Sequence, residues 1–99
     1  MIVKVKRTGP REVMIEVRGE TYTLLDPLTH MLHRLEGVEF AGYDIPHPLE
    51  ERGILYVRSA EGDPVELVLT AVKMLREEYS ELKSSLIEEL KRVGAWTGG

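Results

Sequence analysis

The first part of the chain alternates apolar and polar side chains with a period of two. Residues 12–18 place three β-branched aliphatic residues on one face, which predicts a strand buried on that side. Residues 2–6 have the composition of a second short strand, and Thr8-Gly9-Pro10 predicts a turn between the two. The chain is therefore expected to begin with an antiparallel hairpin.

From residue 24 the apolar period lengthens to that of a helix. Six apolar residues fall within an arc of about 120° on a helical wheel, which predicts an amphipathic helix over 24–36 that Gly37 ends. Pro27 would remove a hydrogen bond from the interior of that helix, so Asp26 is predicted as its cap with Pro27 first in the helix. An irregular turn before the cap is expected to bury Leu24 and Leu25.

Two more strands, over 38–45 and 54–59, are predicted from their aliphatic and aromatic content. Pro46-His47-Pro48 is expected to interrupt the ladder between them. Asp63-Pro64 predicts the start of a long helix that Gly94 ends. The order ββαββα predicts an α+β fold of two layers, in which two helices cover one face of a four-stranded, mainly antiparallel sheet.

This arrangement predicts one domain over residues 1–94 and a flexible tail over 95–99 that carries Trp96. The second helix would be about 45 Å long, whereas a compact chain of this size is roughly 30–35 Å across, so part of the helix must overhang. Its second half has a single apolar seam, formed by Leu75, Tyr79, Leu82, Leu86, Leu90 and Val93. Exposure of such side chains costs about 1.5–3 kcal/mol each, which predicts a partner helix over the seam. The alternatives are that the first helix folds back over the seam within the monomer, or that the end of the second helix frays.

Composition narrows the classes of function. The 99 residues are 42% apolar and 30% charged, as in a small globular domain, and the net charge of −4 disfavours binding to nucleic-acid phosphates. The chain has no Cys, which excludes thiolate chemistry, and its lack of Asn and Gln is typical of thermophiles. No apolar stretch resembles a signal peptide or a membrane span, so a cytoplasmic protein with no membrane partner is expected.

Three histidines carry the only enzyme hypothesis. His30 and His33 lie on the solvent side of the first predicted helix without a recognisable metal-binding motif, and His47 lies between two prolines. The ββαββα order also occurs in pterin carbinolamine dehydratases, which use clustered histidines, so a small enzyme of that fold stays as the alternative. No catalytic residue, metal ligand or cofactor site is predicted.

A family resemblance is carried by residues 38–50. Their sequence, VEFAGYDIPHPLE, closely resembles the signature of the small alpha-like subunits of archaeal and eukaryotic RNA polymerases, a family that includes archaeal subunit L. The segment GETYTLL at 19–25 is similar to the strand-to-helix motif of that family, and the long terminal helix after Asp63-Pro64 agrees with it.

The resemblance implies a non-catalytic assembly subunit. It would pair through its two helices with the larger alpha-like subunit, archaeal D, and the pair would be the platform for the two large catalytic subunits, without direct sequence-specific contact to nucleic acid. The expected core and pairing residues are Leu24, Leu25, Leu28, Met31, Leu32, Leu75, Tyr79, Leu82 and Leu86. The expected contact with a large subunit consists of Tyr43, Pro46, His47, Pro48, Leu49 and Glu50. A rigid turn that only fixes the strand register is the alternative for this segment.

Overall fold

Four strands and two α-helices follow the predicted order in the computed structural model, which describes residues 1–94. The elements are β1 (Ile2–Gly9), β2 (Glu12–Arg18), α1 (Leu25–His33), β3 (Val38–His47), β4 (Arg52–Ser59) and α2 (Pro64–Arg92). The sheet order is β1-β2-β4-β3 with every neighbouring pair antiparallel, so β1 and β3 are its edges. The predicted α+β fold is confirmed.

The core lies between the two central strands and the helices. The alternation in β2 directs Val13, Ile15 and Val17 inward, where they meet the inward residues of β4 and the apolar sides of both helices. The inward face of β1 is different, because Val3 and Val5 stay 49% and 57% exposed. The described part of the chain therefore leaves one edge of the apolar sheet face about half exposed.

The start of α1 differs from the prediction. A 3-10 turn over Glu20–Leu24 leads directly into the helix, Leu24 occupies the cap position, and no side chain caps it. Asp26 is not the cap, since its carboxylate lies within the first turn and accepts a hydrogen bond from Tyr43. Pro27 is tolerated because backbone N–H groups in a first turn have no helical acceptor. Only Leu25 of the two leucines is buried, at 3% exposure against 40% for Leu24.

The end of α1 also differs from the prediction. The helix ends at His33, with Arg34 as its C-cap, three residues before the predicted end. Gly37 does not terminate it; a Cβ at Gly37 would lie 3.1 Å from a methyl group of Leu67, so this glycine permits a close approach of α2.

Of the two prolines predicted to interrupt the ladder, only Pro48 does so. β3 continues through Pro46 to His47, which pairs with Arg52 after a shift in register that begins at Asp44. The strand tolerates proline because it is an edge strand, where one side of the backbone has no ladder partner. A 3-10 turn over Pro48–Glu50 then makes the connection to β4.

The prediction for α2 is confirmed. The Asp63 carboxylate accepts a hydrogen bond from the Val65 backbone N–H at 3.0 Å, and Gly94 follows the helix with a left-handed φ of 76°. The described residues extend over 53 × 33 × 16 Å, and α2 accounts for the long dimension. None of the helices in residues 1–94 is long and apolar enough to cross a membrane. The predicted tail over 95–99 and Trp96 lie outside the described residues.

Candidate protein-protein interface

Among residues 1–94, no element covers an apolar seam on the second half of α2. In the first half of this helix Pro64, Val68 and Ala71 are buried against the domain. At 100° per residue, the later apolar residues fall on the same side of the helix, beyond the end of the sheet. Five of them are 39–60% exposed: Tyr79, Leu82, Leu86, Leu90 and Val93. The seam thus continues the core-facing side of the helix past the point where the core of residues 1–94 ends.

An apolar groove lies along β1, beside the first half of α2. Its volume is about 300 Å³, and every residue that lines it is apolar. The lining comes from β1, β2, β4 and both helices: Met1, Val3, Val5, Ile15, Val17, Leu24, Leu25, Leu28, Leu55, Val68 and Val72. Val72 and Leu69, exposed by 45% and 57%, extend the apolar character along the flank of α2. We call the groove and the seam together the apolar surface.

The predicted pairing residues divide into two sets. Met31 and Leu32 are at most 2% exposed within the chain's own core, so we remove them from the predicted pairing surface, whereas Leu25, 3% exposed, belongs to the core and also lines the groove. The others contribute to the apolar surface or border it. Leu28 and Leu75 are partly buried, whereas the more exposed members are Leu24, Tyr79, Leu82 and Leu86.

Sequence reasoning missed the contribution of β1. Val3 and Val5 alternate with Lys4 and Lys6, a pattern that indicates one apolar face. The pattern does not reveal that the chain's own helices leave this face partly exposed, because that depends on which strands the helices cross.

The loop between β3 and β4 presents an exposed leucine on a restrained backbone. Leu49 is fully exposed, with a relative accessibility of 101%. The Glu51 N–H donates to the Pro48 carbonyl at 3.0 Å, and the Gly19 N–H donates to the Glu51 carbonyl at 2.8 Å. Glu51 holds a left-handed φ of 49°, which is unfavourable for a residue with a side chain. The loop is therefore held in one conformation with Leu49 in solvent.

The other residues predicted to contact a large subunit lie on or beside this loop. His47, Pro48 and Glu50 are exposed, and Pro46 is half-buried in the last part of β3. Tyr43 is 39% exposed and its hydroxyl donates to Asp26 at 3.0 Å, an interaction that raises the pKa of Tyr43. This hydrogen bond joins β3 to the first turn of α1.

The histidines of α1 bind within their own chain. His33 Nε2 lies 2.7 Å from the carbonyl oxygen of Ala41, which ties the end of α1 to β3. His30 Nε2 lies 3.4 Å from the Asp26 carboxylate on the exposed side of the helix. Within residues 1–94, no three His, Asp or Glu side chains are grouped so that they could hold a metal ion.

Comparisons with known proteins identify relatives along most of the chain. Residues 12–85 match the family model described as the RNA polymerase Rpb3/Rpb11 dimerisation domain. The DNA-directed RNA polymerase subunit Rpo11 of Korarchaeum cryptofilum is 45% identical over 94 residues, covering 94% of this chain and 96% of that protein. Rpo11 of Archaeoglobus fulgidus is 36% identical, with 91% and 100% covered.

A solved structure matches the fold. The crystal structure of DNA-directed RNA polymerase subunit L from Thermoplasma acidophilum superposes with a TM-score of 0.77 at 24% identity, covering 99% of this chain and 97% of that one. The similarity extends through both helices and the sheet, so the overhanging α2 belongs to the shared architecture.

Proposed function

This chain belongs to the RNA polymerase Rpb3/Rpb11 dimerisation family, and from that premise we propose that it is an assembly subunit of an archaeal DNA-directed RNA polymerase. The observation that carries the proposal is the apolar surface, which a monomer of this size would not keep exposed without a partner. The alternative of a pterin carbinolamine dehydratase-like enzyme receives no support from the family match or the relatives. We place the assembly in the cytoplasm, where archaeal transcription takes place.

The partner that we propose for the apolar surface is the larger alpha-like polymerase subunit, D. The seam on α2 fits another helix, and the groove along β1 fits apolar side chains that such a helix would bring with it. Burial of these large residues would supply the stability that a domain of 99 residues lacks alone. The pair would then be the platform on which the large catalytic subunits assemble.

Replacement of Leu82 by Arg tests this pairing. Leu82 is 56% exposed at the middle of the seam, so the variant should fold normally as a monomer. In the complex the guanidinium would be forced into a desolvated apolar contact, and we expect affinity for the D subunit to fall at least about a hundredfold. Isothermal titration or size-exclusion chromatography with purified D subunit measures this.

Ser84→Arg is the matched control, because Ser84 is exposed on the opposite side of the same helix. It introduces the same charge only two residues away and should bind as the wild type does. Normal co-elution of Leu82→Arg with the D subunit would show that the seam is not the pairing surface.

We further propose that the loop around Leu49 contacts a large catalytic subunit. Two prolines and the backbone hydrogen bonds of Glu51 restrain the loop, so little conformational entropy remains to be lost on binding. A fully exposed leucine at its tip can serve as a central apolar contact, with His47 and Glu50 at the polar rim.

A double variant, His47→Ala with Leu49→Ser, tests the loop. Neither side chain is buried, so the melting temperature of the heterodimer should stay nearly constant while recruitment of the large subunits weakens in a reconstitution assay. Leu49→Met is the control, because it preserves apolar volume and should retain recruitment. A large loss of heterodimer stability, or unchanged recruitment, would mean that the segment is only a rigid turn.

A further inference from the structure

The charged residues that border the seam are sorted by sign across it. On a helical wheel centred on Leu86, Lys83 and Arg76 lie about 60° and 80° to one side. Glu89 and Glu78 lie at about the same angles on the other side. The seam therefore has a basic flank, Arg76 and Lys83, and an acidic flank, Glu78 and Glu89.

The two flanks differ in whether their charges form ion pairs within the chain. On the acidic flank, Arg34 of α1 donates to Glu78 at 2.7 Å, and Arg92 forms a close ion pair with Glu89. On the basic flank, neither Arg76 nor Lys83 has a carboxylate within 4.0 Å among residues 1–94. The basic flank therefore has two cations for which the described part of the chain supplies no counter-charge.

The position of the sheet restricts how another helix can lie on the seam. The first half of α2 uses the same side to bury Val68 and Ala71 against the domain. A helix that ran parallel to α2 along the whole seam side would collide with the sheet there. A partner helix that carries its own domain at its N-terminal end, as α2 does, therefore fits on the free half of α2 when it runs antiparallel to α2 or crosses it.

Antiparallel pairing of two copies of this chain would place like charges together. When two identical helices pack through the same face about a two-fold axis and run antiparallel, each flank faces the same flank of the other copy. The unneutralised cations of one basic flank would then face those of the other. Such like-charge contacts weaken the pair.

We propose that Arg76 and Lys83 make the seam selective for an antiparallel helix of a different subunit, one that places carboxylates beside the basic flank, and that they disfavour pairing of two copies of this chain. This inference rests on the proposed function, because it assigns a charge requirement to the same surface. The partner chemistry is an amphipathic helix with an apolar face bordered by Asp or Glu on one side.

Charge reversal of the basic flank tests the proposal. The variant Arg76→Glu with Lys83→Glu changes only exposed helix positions, and circular dichroism should show unchanged helicity. We expect its affinity for the D subunit to fall on the order of tenfold or more at low salt, with a smaller loss at high salt. The matched control is Lys73→Glu with Glu77→Lys, which reverses two charges on the side of α2 away from the seam and should bind normally.

A second experiment measures how strongly copies of this chain associate with one another, and it does not need the D subunit. At low salt, an equimolar mixture of wild type and basic-flank variant should associate more tightly than either protein alone in sedimentation equilibrium, because basic then faces acidic. Equal association in all three samples would overturn the proposal, and so would normal binding of the variant to the D subunit. If the wild type does not bind the D subunit, the proposed function fails, while the mixture still decides the role of the basic flank.

Discussion

Gly53→Ala is expected to destabilise the domain through one contact between β4 and the first turn of α1. A Cβ built on Gly53 would lie 2.5 Å from Cδ1 of Leu25, whereas carbon atoms in contact are about 3.5–4.0 Å apart. Leu25 is 3% exposed and cannot swing into solvent without leaving the core. The Leu25 side chain must therefore shift from its present position.

The size of the effect follows from overpacking. Added volume in a well-packed core costs about 1–3 kcal/mol, and the alanine recovers only about 0.4–1 kcal/mol by restricting the unfolded chain. A net decrease of about 1–2 kcal/mol in the free energy of unfolding should lower the melting temperature by roughly 4–15 °C in a domain of this size. Urea unfolding followed by circular dichroism measures the free energy directly.

A double-mutant cycle with Leu25→Ala isolates the contact. Once the leucine is removed, the alanine at 53 has nothing to meet at 2.5 Å, so Gly53→Ala should then cost little or even stabilise the protein. Gly9→Ala is the control, since its nearest neighbours would be 3.8 Å away and its effect should be small. An equal cost of Gly53→Ala with and without Leu25 would refute the reasoning.

Two further predictions concern local structure. Arg7 donates two hydrogen bonds to Asp63 and thereby, with the Val65 N–H, lowers the pKa of this carboxyl below its ordinary value of 3.8. Because the pKa of Asp63 is lower in the folded state, this ion pair stabilises the fold fully above the ordinary pKa, and the stabilisation disappears as the pH falls through the folded-state pKa. The urea midpoints of wild type and Asp63→Asn should therefore converge in acid. A gap between the two midpoints that stays constant with pH would contradict this. Glu51→Gly should raise the melting temperature by a few degrees because it relieves the left-handed φ of 49°, whereas Glu51→Ala keeps the strain and should give no such gain.

The elements with strong periodicity could be predicted from sequence alone. The alternation in residues 12–18 determines which side of β2 is apolar, and the structure buries that side. The start of α2 depends on Asp63 and Pro64, which act within the first turn of the helix itself. Such features rest on interactions between residues close in sequence, so no knowledge of the fold is needed to predict them. The family resemblance likewise depended on a continuous segment.

Other features depended on neighbours distant in sequence. Pro46 stays in a strand only because β3 lies at the edge of the sheet, and the strand order decides that. Leu25 is buried where it packs against Gly53, on a strand far along the chain, whereas Leu24 next to it is 40% exposed. The local secondary-structure propensity of these residues predicts neither feature.

The candidate interface shows the same division. The 4-3-4-4-3 spacing from Leu75 to Val93 predicts an apolar seam, since spacing alone determines which residues share a side of a helix. Which of these residues lie beyond the sheet, and that β1 adds Val3 and Val5 to the same surface, were decided only when strands and helices packed together. The physical reason is that a periodic pattern specifies the direction of a side chain, whereas exposure depends on what the rest of the chain places in front of it.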